Sequence, residues 1–292
     1  MKIGLELAEF GWEGGPAGLG RTLERVVRAA DDAGFDLVGV GDHVWQGPHA
    51  GGPEQPQLEC FTTLGAIAAY TKRVRVAPVV AGVIFRQPAL LAKAVTTLDV
   101  LSGGRAVLGI GAGWYEDEAT GMGFAFPPLK QRFEMVEEAL QVCLKLWAGE
   151  RGDEGAFEGA HYRLERALNL PQSLTRPHPP IMIGGDGKKT LRLVARYGDA
   201  CNIYPGPGFE EKLELLRGFC AEEGRDYEAI EKTGIFPFAV GDDGSGVGEL
   251  TEELGRLAEA GIQTAIGIVG GTDPLRQVEI IGEKVIPAVA DV

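Results

Sequence analysis

The sequence predicts an α/β fold in which eight parallel strands, each followed by a helix, close into a (β/α)8 TIM barrel. Eight strand-like runs alternate with eight helical patterns along 292 residues, and one such barrel typically needs roughly 250 residues. The strand runs are apolar and rich in β-branched residues, as expected of parallel strands buried on both faces. Apolar residues make up 45% of the chain, which is enough for a large core and excludes disorder.

The first four units share one plan, an apolar strand followed by a helix with apolar residues three and four apart. Leu23, Val26 and Ala30 recur at this spacing in the first helix, which ends at a glycine, Gly34. Pro88 lies in the first turn of the third helix, where its missing N–H is tolerated. These units are predicted as strands 2–7, 35–40, 74–85 and 105–110 and helices 20–33, 61–70, 88–98 and 130–147.

The last four units repeat the plan after one irregular segment. They are predicted as strands 180–183, 199–203, 233–240 and 263–269 and helices 188–197, 210–222, 249–260 and 274–284. Segment 151–179 is rich in turn residues and predicts a small β excursion inserted after the fourth helix. No linker or low-complexity tract divides the chain, so we expect a single domain over 1–292.

Charge and composition exclude several classes of function. The 28 basic and 42 acidic residues leave a formal charge of −14, which argues against nucleic acid and anionic membranes as partners. No apolar run reaches the roughly 18 residues of a membrane helix, and the start enters a strand without a signal-peptide pattern. We therefore expect a cytoplasmic bacterial or archaeal protein. The four cysteines have neither zinc spacing nor a disulfide pattern, which predicts buried thiols and no metal site.

Barrel active sites lie at the carboxyl ends of the strands, where Asp42 and His43 directly follow the second strand. A histidine there can donate a proton near neutral pH, and the adjacent carboxylate can bind an N–H group of a cofactor. The alternative is a helix cap or turn pair without chemistry.

Two glycine-rich segments follow later strands. The Gly-x-Gly-x-Gly pattern at 109–113 indicates that a flat or bulky group approaches the backbone, although a plain tight loop is the alternative. It is not the dinucleotide pattern Gly-x-Gly-x-x-Gly. Glycines at 184, 185 and 187 precede a helix that begins with two lysines, an arrangement that favours a phosphate at the helix N-terminus. A glycine turn without a ligand remains the alternative.

Hydrolase chemistry finds little support. The three serines, at 102, 173 and 245, do not lie in a nucleophile elbow, and the carboxylates and histidines lack metal spacing. One histidine, a glycine-walled pocket and a phosphate site together indicate a planar, phosphorylated redox cofactor.

These segments resemble the luciferase-like monooxygenase superfamily, specifically its F420-dependent oxidoreductase branch. The resemblance covers essentially the whole chain. It is carried by segments 41–43, 86–93, 97–105, 109–114 with Glu118, 132–133, 179–185 and 195–199.

The resemblance implies the eight-stranded barrel, a homodimer, and FMN or coenzyme F420 bound at the carboxyl face. It implies His43 as the catalytic proton donor near the reactive carbon of the cofactor ring. It also implies a non-proline cis peptide at Val79–Val80, pressing on the back of the ring, although many relatives have glycine where this chain has Val79. The implied cofactor site comprises Asp42, Val79, Val80, Gly82, Ala112, Gly113, Asp117, Gly184, Gly185, Asp186, Gly187, Lys189 and Thr190.

The chain departs from the F420-dependent glucose-6-phosphate dehydrogenases of the family. Those enzymes have a glutamate base where this chain has Trp114, and segment 202–206 lacks their sugar-phosphate lysine. Sugar-phosphate oxidation is therefore not expected. Four aromatic residues instead predict an apolar substrate pocket: Phe10, Trp12, Trp114 and Tyr204.

The resulting hypothesis is an F420-dependent oxidoreductase that transfers a hydride between coenzyme F420 and a small organic substrate. An FMN-dependent monooxygenase using reduced FMN and oxygen is the alternative within the same superfamily. A relative that binds the cofactor without catalysis is a third.

Overall fold

The structure, a computed structural model of the chain, describes residues 1–271 and 273–292. Its strands are β1 (Lys2–Leu7), β2 (Leu37–Val40), β3 (Arg75–Pro78), β4 (Ala81–Gly82), β5 (Leu108–Gly111), β6 (Phe157–Glu158), β7 (Arg163–Leu164), β8 (Ile181–Gly184), β9 (Ala200–Ile203), β10 (Glu231–Pro237) and β11 (Thr264–Val269). Its α-helices are α1 (Gly15–Ala33), α2 (Cys60–Tyr70), α3 (Pro88–Ser102), α4 (Glu116–Gly121), α5 (Leu129–Trp147), α6 (Lys188–Tyr197), α7 (Phe209–Glu223), α8 (Val247–Glu259), α9 (Pro274–Ile280) and α10 (Ile286–Ala288).

The main sheet is parallel and closes on itself. Its strand order is β3-β2-β1-β11-β10-β9-β8-β5-β4, and the strands at its two ends, β3 and β4, are halves of one predicted strand. Val76 of β3 also pairs in parallel with Ala106, and hydrogen bonds of 2.9 Å join Val76 N to Arg105 O and Val107 N to Val76 O. With β3 and β4 counted as one strand, eight parallel strands therefore form the barrel. The predicted (β/α)8 fold is confirmed.

Several predicted boundaries were wrong for local reasons. The single strand predicted at 74–85 is interrupted at Val79–Val80, so β3 and β4 are separate. Helix α1 begins at Gly15, five residues before the predicted start, because Pro16 fits its first turn. Helix α4 lies in what the sequence predicted as loop, since its six residues are too few to show an apolar period. In the inserted segment, β6 and β7 form the small antiparallel excursion that was expected.

Ion pairs close the amino end of the barrel. Arg75 lies between Asp36 and Glu231, with its Nε 2.9 Å from Asp36 Oδ2 and its Nη1 2.8 Å from Glu231 Oε2. Thr264 Oγ1 donates a 2.6 Å hydrogen bond to Glu231, and Lys2 lies 3.7 Å from both acids. Burial opposes ionisation of Glu231, but its bonds to Arg75 hold its pKa below the usual range.

Above these ion pairs, alternate strand positions point inward and form an apolar layer. The inward side chains of this layer are Leu37, Ala77, Val107, Met182, Ala200, Ile235 and Ile266. All are buried and form a cluster separate from the larger core between the sheet and the helices. The barrel interior is therefore filled below its carboxyl end.

The interruption between β3 and β4 pushes a bulge into the upper barrel, and neighbouring strands make room for it with glycine. A Cβ on Gly109 would lie 2.0 Å from Pro78 O, and one on Gly39 would lie 2.3 Å from Val79 Cγ2. A Cβ on Gly184 would lie 2.7 Å from Val80 Cγ2. The glycines of β5 thus admit protein backbone and valine, which identifies the bulky group that their pattern predicted.

All four cysteines are buried and free, as predicted. None of the helices in the described ranges combines the length and apolarity needed to cross a membrane.

The homodimer stays a prediction, as does the single-domain boundary. Leu90 and Leu101 of α3 are 61% and 71% exposed and offer apolar surface of the kind that subunit contacts cover.

The bulge gives a stability prediction. Gly109→Ala is expected to lower the free energy of unfolding by about 3 kcal/mol or more, because the methyl group would overlap a backbone oxygen that cannot move aside. Urea unfolding followed by circular dichroism measures the loss. Gly65→Ala in α2 is the control, because no heavy atom lies within 4 Å of its Cβ position. Equal stability of the two variants would contradict the close-packing account.

Candidate active site

The carboxyl end of the barrel brings His43 against a buried glutamate. His43 follows β2, and its Nδ1 lies 2.8 Å from Oε2 of Glu118 in α4. The other oxygen of Glu118 accepts hydrogen bonds from Val44 N at 2.6 Å and Trp45 N at 2.9 Å. Glu118 has no exposed surface, whereas 22% of the His43 side chain is exposed. The glutamate therefore fixes one edge of the imidazole and leaves the other edge free of this contact.

This pairing controls the charge of His43. Burial disfavours the imidazolium and by itself lowers the pKa of His43, but the hydrogen bond and charge of Glu118 outweigh it. The charges of Asp42 and Glu6 add to the effect, and the pKa of His43 lies above 6.5. With a carboxylate accepting at Nδ1, the ring carries hydrogen there, and Nε2 is the atom left to gain or lose a proton. This places a proton-exchanging group at the rim.

Asp42 is buried and already bonded within the protein. Arg86 Nη1 donates to both of its oxygens, at 2.8 and 2.6 Å, and Gly82 N donates to Oδ2 at 3.0 Å. Arg86 also pairs with Glu59, the residue that caps α2. Asp42 therefore ties the end of β2 to β4. Its contact with a cofactor stays a prediction.

The peptide bond Val79–Val80 is cis, which confirms the expectation from the resemblance. Val79 N donates to Val40 O at 2.9 Å, and Val83 N donates to Gly111 O at 3.0 Å, so both ends of the bulge are tied to neighbouring strands. Val79 is 8% exposed and Val80 is half-buried. The bulge presents an apolar floor at the same end of the barrel as His43.

The glycine turn after β8 leads into α6, as predicted. Gly187 precedes the first residue of α6, and no side chain caps the helix N-terminus. Gly185 has φ of +114°, and Thr190 is buried beside it, with Oγ1 3.3 Å from the Cβ position of Gly185. Asp186 pairs with Lys212 of α7, so its carboxylate is neutralised. The uncapped first turn and its two lysines can accept an anion.

Arg132 of α5 binds the loop that follows β5. Its Nη1 donates to Gly113 O at 2.6 Å, its guanidinium lies 3.8 Å from the Phe126 ring centroid, and its buried Nε has no partner among the described residues. Ala112 and Gly113 are half-buried beside it. Asp117 is exposed on α4, whereas the neighbouring Glu118 enters the site. The resemblance assigned Asp117 to the cofactor site, and that assignment stays a prediction.

The predicted aromatic pocket residues divide into two groups. Trp114 is 54% exposed, stacks on Tyr115 with ring centroids 5.0 Å apart, and meets His43 edge-on at 5.5 Å. Tyr204 is 62% exposed at the end of β9. Phe10 and Trp12 are only 1% and 4% exposed, so they offer little surface to a substrate here. Their role in the pocket stays a prediction.

Glu6 is a site residue that sequence reasoning missed. It lies on the inward side of β1, two residues beyond Gly4, is 7% exposed, and makes no hydrogen bond through its side chain to any described residue. Burial raises the pKa of Glu6 to about 7, although the charge of His43 lowers it. The sequence signal that could have identified Glu6 is a glutamate within a mostly apolar strand. Alternation along the strand places it on the same face as Gly4.

The opposite end of the barrel has a different character. A surface cavity of about 640 Å³ there is lined by Lys2, Arg217, Glu228 and Gly261 at the amino ends of the strands. Features at this end of a barrel usually serve stability, whereas the carboxyl end carries the chemistry. The candidate site therefore remains at His43.

The chain belongs to the luciferase-like monooxygenase family, whose sequence profile matches residues 1–260. An F420-dependent glucose-6-phosphate dehydrogenase of Gordonia bronchialis is 30% identical over 220 residues, which cover 73% of this chain and 62% of that protein. The chain thus matches about three fifths of the length of that relative. An uncharacterised protein of Mycobacterium tuberculosis is 31% identical over 222 residues, covering 71% of this chain and 76% of that protein.

Solved structures share the fold at lower identity. An F420-dependent secondary alcohol dehydrogenase in complex with an F420-acetone adduct has a TM-score of 0.81 and 22% identity, and the match covers 99% of each chain. The monooxygenase RslO1 from Streptomyces bottropensis has a TM-score of 0.79 and 22% identity, covering 98% of this chain and 99% of that one. These likenesses support the barrel.

The buried carboxyl of Glu6 predicts a pH-dependent stability. Its pKa is about 7 in the folded chain and about 4.5 when unfolded, so between these values the folded state holds a proton that the unfolded state has lost. The free energy of unfolding therefore falls as pH rises through this window, by up to about 3 kcal/mol. Glu6→Gln is expected to remove this loss, making the variant more stable than the wild type at pH 8 and similar at pH 4.5.

Urea unfolding at pH 4.5, 6 and 8 measures the difference. Glu13→Gln, at an exposed position nearby, is the control and is expected to follow the wild type. The account of Glu6 fails if its variant shows the same dependence on pH as the wild type.

Proposed function

We propose that this protein is an F420-dependent oxidoreductase that transfers a hydride between coenzyme F420 and a small organic substrate. The observation that carries the proposal is the Glu118–His43 pair, which lies at the same end of the barrel as the apolar bulge Val79–Val80. Relatives at 30% identity or more named as F420-dependent glucose-6-phosphate dehydrogenases support the cofactor.

The residues of the rim fit a flat ring with a phosphate-bearing tail. The two valines of the bulge give an apolar floor on which a ring could lie, and the half-buried Val80 faces Gly111 and Gly184. The uncapped N-terminus of α6 provides N–H groups and a positive dipole for phosphate. Lys189, whose Nζ lies 5.6 Å from the Phe133 ring centroid, would add positive charge to this position.

F420, when bound, supplies a deazaflavin ring carbon that accepts or donates a hydride. The protein supplies the proton: His43, whose pKa is raised by Glu118, can give or take it at Nε2. Trp114 and Tyr115 cover one side of the imidazole and limit access of water. Asp42 and Arg86 hold the end of β2, and with it His43, in place.

The rim favours an uncharged substrate. The aromatic rings of Trp114 and Tyr204 are large apolar side chains exposed at this rim. Arg86 is paired with Asp42 and Glu59, and Lys212 with Asp186, so neither offers an unneutralised charge to an anionic substrate. Because the anion-binding helix end is assigned to the cofactor tail, we infer a small alcohol or carbonyl compound as substrate class.

Cofactor binding tests the main proposal. The protein is expected to bind F420 more tightly than FMN in fluorescence titrations. Lys189→Ala is expected to raise the Kd for F420 about tenfold, because it removes a charge beside the phosphate-binding turn. Lys130→Ala, 82% exposed at the start of α5, is the control and should leave Kd unchanged. Tighter binding of FMN, or oxygen consumption with reduced FMN, would favour the monooxygenase alternative.

The substrate class is tested separately. With F420 present, glucose 6-phosphate is expected to give no F420 reduction, whereas a panel of small secondary alcohols should include a substrate. The Gordonia bronchialis enzyme, assayed in parallel, is the positive control for the sugar phosphate. Reduction of F420 by glucose 6-phosphate would contradict the proposed class and leave the cofactor proposal intact.

A further inference from the structure

Three acidic side chains lie around His43, and two of them are fully engaged. Glu118 accepts three hydrogen bonds, one of them from His43 itself. Asp42 accepts from Arg86 and from Gly82 N. Glu6 is 7% exposed, close to the 6% of Asp42, yet its carboxyl makes no hydrogen bond within the described residues. A carboxyl in such a position without a protein partner is a candidate for a functional role.

The position of Glu6 relative to His43 suggests that role. Gly41 lies between them: a Cβ there would be 3.2 Å from Glu6 Oε1 and 3.6 Å from His43 Cδ2, so these two atoms are at most about 7 Å apart. Cδ2 neighbours Nε2 in the ring, on the edge away from the Nδ1 that meets Glu118. Because Gly41 has no side chain, no side-chain atom of that residue lies between the carboxylate and the ring. The two glutamates therefore act on opposite edges of one imidazole.

We propose that Glu6 is a positioning residue for His43, whose carboxylate stabilises the imidazolium from the Nε2 edge and so keeps a transferable proton at that atom. The inference rests on the proposed function, in which His43 exchanges the proton that accompanies hydride transfer. Its chemistry is electrostatic, so it needs no covalent step. Perturbed carboxyls in a cleft beside a titrating partner are typical of functional sites.

Two further titratable groups near this pair are Cys60 and Tyr204. Burial raises the pKa of Cys60, which is close to Asp42, Glu59 and Arg86, and its thiol stays neutral. Burial, with the charges of Glu6 and Asp186, raises the pKa of Tyr204.

Two basic groups near this pair are held in ion pairs. Arg86 offsets Asp42 and Glu59, and Lys212 offsets Asp186. The proton that moves near neutral pH is therefore shared between Glu6 and His43, and the two groups titrate as a coupled pair.

The test measures the titration of His43 in the full chain without added cofactor. Long-range ¹H–¹⁵N NMR spectra recorded from pH 5 to 9 give the pKa, and His43→Gln identifies its resonances among those of the four histidines. Glu6→Gln is expected to lower the pKa of His43 by roughly 0.5 to 2, the range that Coulomb's law gives for charges about 7 Å apart. Glu118→Gln should lower it at least as much, and Glu13→Gln should leave it unchanged.

A second measurement covers the case in which Glu6→Gln does not fold. In His43→Gln, the ¹³C carboxyl titration of Glu6 is expected to move to higher pH, because coupling between two sites is reciprocal. Glu6→Asp, which keeps the charge, should retain part of the effect on His43. Unchanged titration of His43 in folded Glu6→Gln, or of Glu6 in His43→Gln, overturns the inference.

The inference about Glu6 and the proposed function can fail independently of each other. If F420 binds and the titrations do not move, the inference alone fails. If the titrations move and F420 does not bind, the proposed function fails while the coupling of Glu6 to His43 stands. With both intact, kcat of Glu6→Gln is expected to begin its fall at lower pH than kcat of the wild type, because the variant loses the proton of His43 at lower pH, with little change in KM.

Discussion

The site depends on a steric constraint at the top of the barrel, where the bulge Val79–Val80 occupies space that strand side chains would otherwise fill. The backbone of β5 approaches Pro78 so closely that a methyl group on Gly109 would overlap its oxygen. Gly39 and Gly184 meet the valine side chains in the same way. One bulge thus sets the residue type at positions on three other strands. It also supplies the apolar floor at the same end of the barrel as His43, because the glycines around it carry no side chains of their own.

Three carboxyl groups are buried around this apolar floor, and they differ in their hydrogen-bond partners. Glu118 is satisfied by two backbone N–H groups and His43, and Asp42 by Arg86 and a backbone N–H group. These two hold the loops after β2 and β5 together, so the imidazole has one edge fixed and one edge free. Glu6 is left without such bonds, and the folded chain bears the cost of its burial.

The two ends of the barrel differ in how completely their polar groups are paired. At the amino end, Arg75, Asp36, Glu231 and Thr264 satisfy one another, and the charges serve to close the barrel. At the carboxyl end, an uncapped helix and an unpaired glutamate remain. Unsatisfied groups of this kind are expected where a ligand or a proton is handled, because stability is usually sacrificed at functional sites.

The sequence by itself determined the barrel, the position of His43, and the bulge at Val79–Val80. Apolar strands alternating with helices leave few alternatives to a closed parallel sheet, and His43 and the bulge lie in contiguous segments that could be compared with a known family. The sequence could not show that α4 is a helix, that Glu118 bonds to His43, or that Glu6 lies near the same imidazole. Glu118 is 75 residues from His43, and Glu6 is on a different strand. Only closure of the barrel brings these groups within reach of one imidazole, since electrostatic coupling depends on distance in space and on burial, neither of which is encoded in local spacing.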